Sequence, residues 1–212
     1  MSGQKYAPRP RPGRVTAPEE FRVAAVGLDH GHIYGMCHAL REAGAGIAAV
    51  YDTDPERISA FLSAFPEAKP AASVEAVLED QAIDLVASAA IPYRRGSLGQ
   101  RVQEAGKHFF VDKPPFTTYE QLKAARRSCE STGKKWAVCY TERLLSEAAV
   151  FASQLLEEGA IGRVVQVLGL GPHKLRADER RSWFFHREEY GGILTDIGSH
   201  QVEQFLHYSG AR

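Results

Sequence analysis

Asp196 and His200 stand four positions apart in the stretch Gly191-Gly192-Ile193-Leu194-Thr195-Asp196-Ile197-Gly198-Ser199-His200-Gln201-Val202-Glu203. Two glycines open it, and its apolar residues have helical spacing. A helix puts the carboxylate and the imidazole on one face, and Glu203 extends that face. A carboxylate stacked on an imidazole fixes the ring and holds a proton donor-acceptor near neutral pH. The plainer reading is a solvated polar stripe, with Ile197, Val202, Phe205 and Leu206 as the side that packs.

Two further groups of residues suggest chemistry. Asp112-Lys113-Pro114 ends an apolar run that starts at His108. An ammonium at a strand end can orient a hydroxyl or carbonyl and stabilise developing negative charge. The alternative is a surface lysine in a turn. The other group is the turn Gly27-Leu28-Asp29-His30-Gly31-His32 after the first apolar run. Gly27 can make a tight turn, but Asp29 and His32 occupy the second and third glycine positions of a dinucleotide fingerprint. A side chain at the second position obstructs a pyrophosphate, and an anionic one repels it. Gly31 and the free N–H groups of the following helix start could still receive a phosphate. Asp52, 25 positions after Gly27, can accept from an adenosine ribose and disfavours a 2′-phosphate, which selects NAD over NADP. It could equally be a turn residue ahead of Asp54-Pro55.

The elements that would position these residues alternate in type. Strands are expected over 21–27, 47–52, 84–91, 108–112 and 135–141, and helices over 31–43, 54–65, 73–80, 97–105 and 118–132. Asp54 and Thr118 are expected caps. Short buried strands alternating with helices predict parallel βαβ units and an α/β, Rossmann-type doubly wound sheet. After Thr141 the pattern changes to a helix at 146–158, a strand at 164–170 and a long polar stretch at 172–190 with Trp183, Phe184 and Phe185 in its middle. Such a stretch suits a lid or binding loop. The expected organisation is a disordered lead (1–20), a dinucleotide-binding domain (21–141) and an incomplete α+β second domain (142–212). With one clear strand, the last segment cannot build its own core.

Composition narrows the function classes. The 26 basic and 26 acidic residues balance, so no global field draws in nucleic acid or an anionic membrane. No apolar run approaches the length of a membrane span. Cys37, Cys129 and Cys139 are odd in number and lack C-x-x-C spacing, which fits a reducing, cytoplasmic setting without a disulfide framework or zinc site.

The degenerate phosphate turn, the acid after the second strand, (Asp/Glu)-Lys-Pro and Gly-Gly-x4-Asp-x-Gly-x-His-x2-(Asp/Glu) together resemble the glucose–fructose oxidoreductase/inositol dehydrogenase/MocA (Gfo/Idh/MocA) family over about residues 21 to 212. Tyr140-Thr141-Glu142-Arg143 is similar to that family's segment leading out of the nucleotide domain. The resemblance implies an NAD(P)-dependent oxidoreductase acting on a sugar, cyclitol or related polyol. It implies Lys113 at substrate and nicotinamide, His200 as general acid/base and Asp196 as its partner. Gly27, Asp29, His30, Gly31, His32, Asp52 and Lys113 would bind the cofactor, with no metal. It also implies a homo-oligomer for a full-length form. Asp112 stands where the family usually has Glu, and family members are much longer, so a truncated product or an incomplete gene model is expected. The apolar side of 193–208 would then be uncovered.

Two other classes are open. A non-catalytic nucleotide or sugar sensor would keep the fold and fits the altered turn. A metal-dependent lyase or isomerase would use Asp29, His30 and His32 with His173 or His186.

Overall fold

The structure, a computed structural model, describes residues 13–18 and 20–211. Its centre is a six-stranded parallel sheet in the order β3-β2-β1-β4-β5-β6. The strands are β1 (Arg22–Val26), β2 (Gly46–Tyr51), β3 (Lys69–Pro70), β4 (Leu85–Ser88), β5 (His108–Asp112) and β6 (Trp136–Cys139). The expected Rossmann-type sheet is present, with the two-residue β3 as an addition. That strand escapes a sequence reading because it has no apolar pattern and lies exposed at the edge.

Alternation along β1 shows how the core is divided. Val23 and Ala25 face Ile47, Val50, Ile33, Phe61 and Phe65, beneath α1 (His32–Glu42) and α2 (Pro55–Ala64). Ala24 and Val26 face the other way, onto Val77, Val86, Val102, Phe109 and Val111, beneath α3 (Val74–Glu79) and α4 (Pro92–Glu104). Both faces are covered, so the inner strands β1 and β4 are buried on both sides along most of their length rather than alternating with exposed polar residues. Caps set the helix starts. Asp54 accepts from the Glu56 N–H with Pro55 in the first turn, and Thr118 with Gln121 forms a capping box on α5 (Tyr119–Thr132). Helix α4 begins five residues earlier than expected, at a proline that suits a first turn.

Residues 1–12 and 19 of the expected lead lie outside the described residues. The part that is described is docked: the Val15 N–H donates to Ala43 O at 2.9 Å.

Beyond β6 come α6 (Thr141–Leu144), α7 (Glu147–Glu157), short 3-10 turns at Ala177–Glu179 and Ser182–Phe185, and α8 (Arg187–Tyr190). A π-turn (Leu194–Gly198) then leads into α9 (Ser199–Ser209). Two expectations fail here. Residues 164–170 form no strand: Val165, Leu168 and Leu170 are exposed in chain without regular structure, because no neighbouring strand among the described residues pairs with their backbone. The plainer reading of α9, a solvated polar stripe with a packed apolar side, also fails, whereas the expectation that the apolar side is uncovered holds. Asp196 and His200 are buried, while Val202, Phe205 and Leu206 are exposed.

Gly99 lets α4 lie against β5 and β6, since a Cβ there would sit 2.2 Å from Trp136 Cη2 and 2.6 Å from Phe109 Cδ1. Gly99→Ala is expected to cost about 1–3 kcal/mol by overpacking, read from the urea unfolding midpoint. An unchanged midpoint would contradict this contact.

Candidate active site

The carboxyl ends of β1, β4 and β5 form one edge, and the order of the sheet reverses between β1 and β4. Ligands of doubly wound folds sit in that crevice. Gly27 turns the chain there with φ +73°, and a Cβ on it would lie 2.7 Å from Ala90 Cβ. The space over Gly31 is open: a Cβ added there meets nothing within 4 Å. A cleft of about 260 Å³ runs beside the turn between Val26, Leu98 and Val74, with Asp29, Asp52 and Arg94 at its polar end.

The two acids of this cleft are already engaged. Asp52 accepts from the Leu28 N–H at 2.6 Å and from the Asp54 N–H at 2.9 Å. Asp29 accepts from Arg57 at 2.5 Å and from the Ile91 N–H at 3.2 Å. Arg57 also faces Asp52 and Asp54. The charge at the second glycine position is thus compensated, which offsets the repulsion expected from Asp29 alone. Nothing in the sequence around Arg57 identified it beyond its place one turn after Asp54.

His30 and His32 leave the same turn on the other side, toward Asp112. His32 Nδ1 is 2.9 Å from Asp112 Oδ1, and His30 Nδ1 is 3.3 Å from Oδ2. Arg95, fully buried, closes the cluster: it donates to Asp112 Oδ2 at 3.2 Å and to the carbonyl oxygens of Asp112, Pro114 and Ala90. Burial pushes the Asp112 carboxyl up, but hydrogen bonds from His30 and His32 and the charge on Arg95 hold it well below the carboxylate range. His30, Asp112 and His32 are spaced as three metal ligands would be. The buried guanidinium on the same carboxylate already supplies the positive charge that a cation would bring. Asp29, expected among such ligands, points instead to Arg57. Arg95 was missed, although it falls in the inward stripe Pro92, Arg95, Gly99, Val102 of α4.

Lys113 follows Asp112 and precedes Pro114 across a cis bond. Its Nζ donates to Asp196 Oδ1 at 2.8 Å and to Asp196 O at 2.9 Å, and both residues are buried. Asp196 is therefore the partner of Lys113, not of His200 as expected. The π-turn presents its carboxylate and its carbonyl to one ammonium, and a buried ammonium needs such pairing. The carboxylate nearest His200 is Glu142, with Oε1 at 3.9 Å from His200 Nε2 and 3.0 Å from His173 Nε2. The His173 ring lies nearly parallel to that of His200, centroids 6.4 Å apart, and Tyr140 meets His200 edge-on. His200 Nδ1 is buried without a hydrogen-bond partner among the described residues. Burial first, then the Lys113 charge, lowers the His200 pKa to about 4, so the ring is neutral at pH 7.

The aromatic stretch, expected as a lid or binding loop, lies against the turn after β1. Trp183 is buried and stacks on Phe184 at 3.7 Å, and both rings lie against His30.

Residues 21–140 match the family described as oxidoreductases with an NAD-binding Rossmann fold, and residues 150–212 match the GFO/IDH/MocA C-terminal domain. Levoglucosan dehydrogenase of Pseudarthrobacter phenanthrenivorans is 25% identical over 199 residues, covering 87% of this chain and 51% of the relative. The scyllo-inositol 2-dehydrogenase (NADP(+)) of Bacillus subtilis is 27% identical over 149 residues, covering 69% of this chain and 40% of the relative. Among solved structures, a candidate oxidoreductase from Erwinia carotovora atroseptica has a TM-score of 0.86 at 48% identity, covering 90% of this chain and 57% of that one. Levoglucosan dehydrogenase in complex with NADH has a TM-score of 0.77 at 24% identity, covering 90% and 54%, a likeness of fold. The chain spans between a third and about half the length of the curated relatives it matches. Among the described residues, no helix is long and apolar enough to cross a membrane.

The buried neutral His200 makes a prediction about pH. Its pKa falls from 6.5 to about 4 on folding, so the unfolded chain binds the extra proton between those values. Its contribution is complete above pH 6.5 and shrinks as pH falls toward 4, by on the order of 2–3 kcal/mol. Urea unfolding from pH 7 to 4.5 should show a steeper decline for wild type than for His200→Asn. Equal slopes would contradict the assignment.

Proposed function

The chain belongs to the GFO/IDH/MocA oxidoreductase family with its NAD-binding Rossmann fold, and from that premise we propose that it carries the reaction centre of an NAD-dependent dehydrogenase acting on a secondary hydroxyl of a sugar or cyclitol. The observation that carries the proposal is the burial of an ammonium, Lys113, beside a neutral imidazole, His200, at the carboxyl edge of the sheet. Relatives that oxidise levoglucosan, D-xylose and scyllo-inositol by name support this substrate class.

The residues present fit the cofactor. Gly27 permits close approach, the space over Gly31 is open, and apolar walls with Asp52 at one end suit an adenosine and its ribose hydroxyls. Asp52 retains acceptor capacity, since a carboxylate has about four lone-pair sites. Asp52, the acid at the end of β2, can accept from ribose hydroxyls and disfavours a 2′-phosphate. That favours NAD over NADP. A bound nicotinamide supplies the hydride acceptor.

The chain's own residues do the rest. Asp196 holds the Lys113 ammonium, which polarises the reacting oxygen and stabilises its developing charge. His200, unprotonated at neutral pH, takes the hydroxyl proton in oxidation and returns it in reduction. Trp183 and Phe184 screen the turn from water.

NADH fluorescence with the chain, followed by turnover of a sugar and cyclitol panel, tests the proposal. Asp52→Ala should weaken NADH binding about tenfold, the loss of one or two hydrogen bonds, and reduce the preference over NADPH. His200→Asn should leave NADH affinity within about twofold and abolish turnover, a loss of at least about a hundredfold. Failure to bind either dinucleotide would refute the dehydrogenase reading in favour of a sensor of other ligands.

A further inference from the structure

Lys113 lies past the last rungs of the sheet. Strand β5 pairs with β4 as far as Val111 and with β6 as far as Asp112, so Lys113 itself stands outside the ladder. One side chain from α4 takes over from the ladder there. Arg95 Nη1 donates to Asp112 O at 2.8 Å and to Pro114 O at 3.0 Å, the carbonyl groups of the two residues that flank Lys113. Its Nε donates to Ala90 O at 2.6 Å, just past β4, and its Nη2 to Asp112 Oδ2 at 3.2 Å. The helix that carries this guanidinium is closely seated. A Cβ on Gly96 would lie 2.9 Å from Gln121 Cγ on α5, and Gly99 is pressed against Trp136.

We infer that Arg95 is a positioning residue for Lys113: it clamps the backbone on both sides of that residue and so keeps the ammonium on Asp196 at the carboxyl edge of the sheet. This rests on the role proposed for Lys113. The shape of the group explains why arginine stands here. A planar guanidinium presents five N–H donors in a fixed fork and can hold four acceptors in separate directions, whereas the three donors of an ammonium leave from one point. Because Nη1 spans Asp112 O and Pro114 O, turning either peptide unit costs a hydrogen bond to a charged donor. The bond to Ala90 O ties the same fork to the wall of the cleft beside Gly27, which Ala90 lines. Asp112 compensates the buried charge and receives His30 and His32 as well. Without the fork, the carbonyl groups of Asp112 and Pro114 lose a donor in a buried place, and the segment turns to satisfy them. The ammonium moves with it, away from Asp196.

The test reads the ammonium itself rather than turnover, so it stands apart from the dehydrogenase assay. Trace acetylation with acetic anhydride, followed residue by residue by mass spectrometry, labels a free lysine amine and spares a buried, paired one. Lys107 is the internal control. It is buried at the amino end of β5 with Nζ on the carbonyl oxygens of Asp80 and Ile83, so its protection reports the fold as a whole. In wild type both lysines should be spared. Arg95→Ala should raise Lys113 labelling by about tenfold or more, the effect of losing even one hydrogen bond to a charged group, while Lys107 stays protected. Guanidinium ion at millimolar levels, entering the vacated space, should restore the protection, and in a chain that turns over substrate it should restore kcat in step. Should Arg95→Ala also bare Lys107, Arg95→Lys decides. Its ammonium keeps a charge on Asp112 but spans fewer carbonyl groups, so Lys113 labelling should still rise by about threefold or more with Lys107 spared. Lys113 as protected as in wild type in a folded variant, or Lys113 and Lys107 bared in parallel in Arg95→Lys, would overturn the inference. Selective release of Lys113 in a chain that binds no dinucleotide would refute the dehydrogenase reading and leave the clamp standing.

Discussion

The ion pair between Lys113 and Asp196 is the constraint on which the rest of the site depends. Neither group can be buried alone, because an isolated charge out of water costs several kcal/mol. Their pairing brings the end of β5 and the π-turn before α9 together across 83 positions of sequence. Once that contact is made, His200 stands one helical turn beyond Asp196, and the aromatic stretch lies against the turn after β1. The electrostatics follow. The same ammonium that Asp196 stabilises discourages protonation of His200, so one charged pair both anchors a segment and sets the state of the neighbouring imidazole.

The altered turn after β1 fits the same logic. At two positions where a dinucleotide fingerprint has glycine, this chain has Asp29 and His32, yet neither is an unpaired intruder. Asp29 is neutralised by Arg57, and His32 reaches the carboxylate of Asp112. Asp112 is one methylene shorter than the Glu usual in the resembling family, and the room left is filled by two imidazoles. The turn, Arg95 and the short acid therefore make sense only together.

Much of this could be read from sequence. The parallel strands announced themselves as short apolar runs, Asp54-Pro55 and Thr118 as helix starts, and Lys113 with Asp196 and His200 as spaced chemistry. What failed depended on contacts between distant segments. Asp196 was paired with the residue four positions on because helical spacing is local information, whereas its actual partner lies in another part of the chain. The strand expected at 164–170 has suitable residues, but a strand is defined by its neighbour. Val202, Phe205 and Leu206 look like a packing face, and the burial of the opposite side was decided by one ammonium. Arg95 was legible in principle, since it occupies a buried stripe. Arg57 and Glu142 were not, because their roles arise only where separate loops meet.

The long sequence separation inside the Lys113–Asp196 contact has a consequence for how this molecule breathes. The sheet and its covering helices hold together through two cores to which α9 contributes nothing. Partial detachment of the segment from Thr141 onward would expose only a few buried side chains while separating ammonium, carboxylate and imidazole at once. Such subglobal openings cost less than full unfolding. The scaffold can therefore persist with its chemistry dismantled, and loss of function in this fold need not be accompanied by loss of the protein.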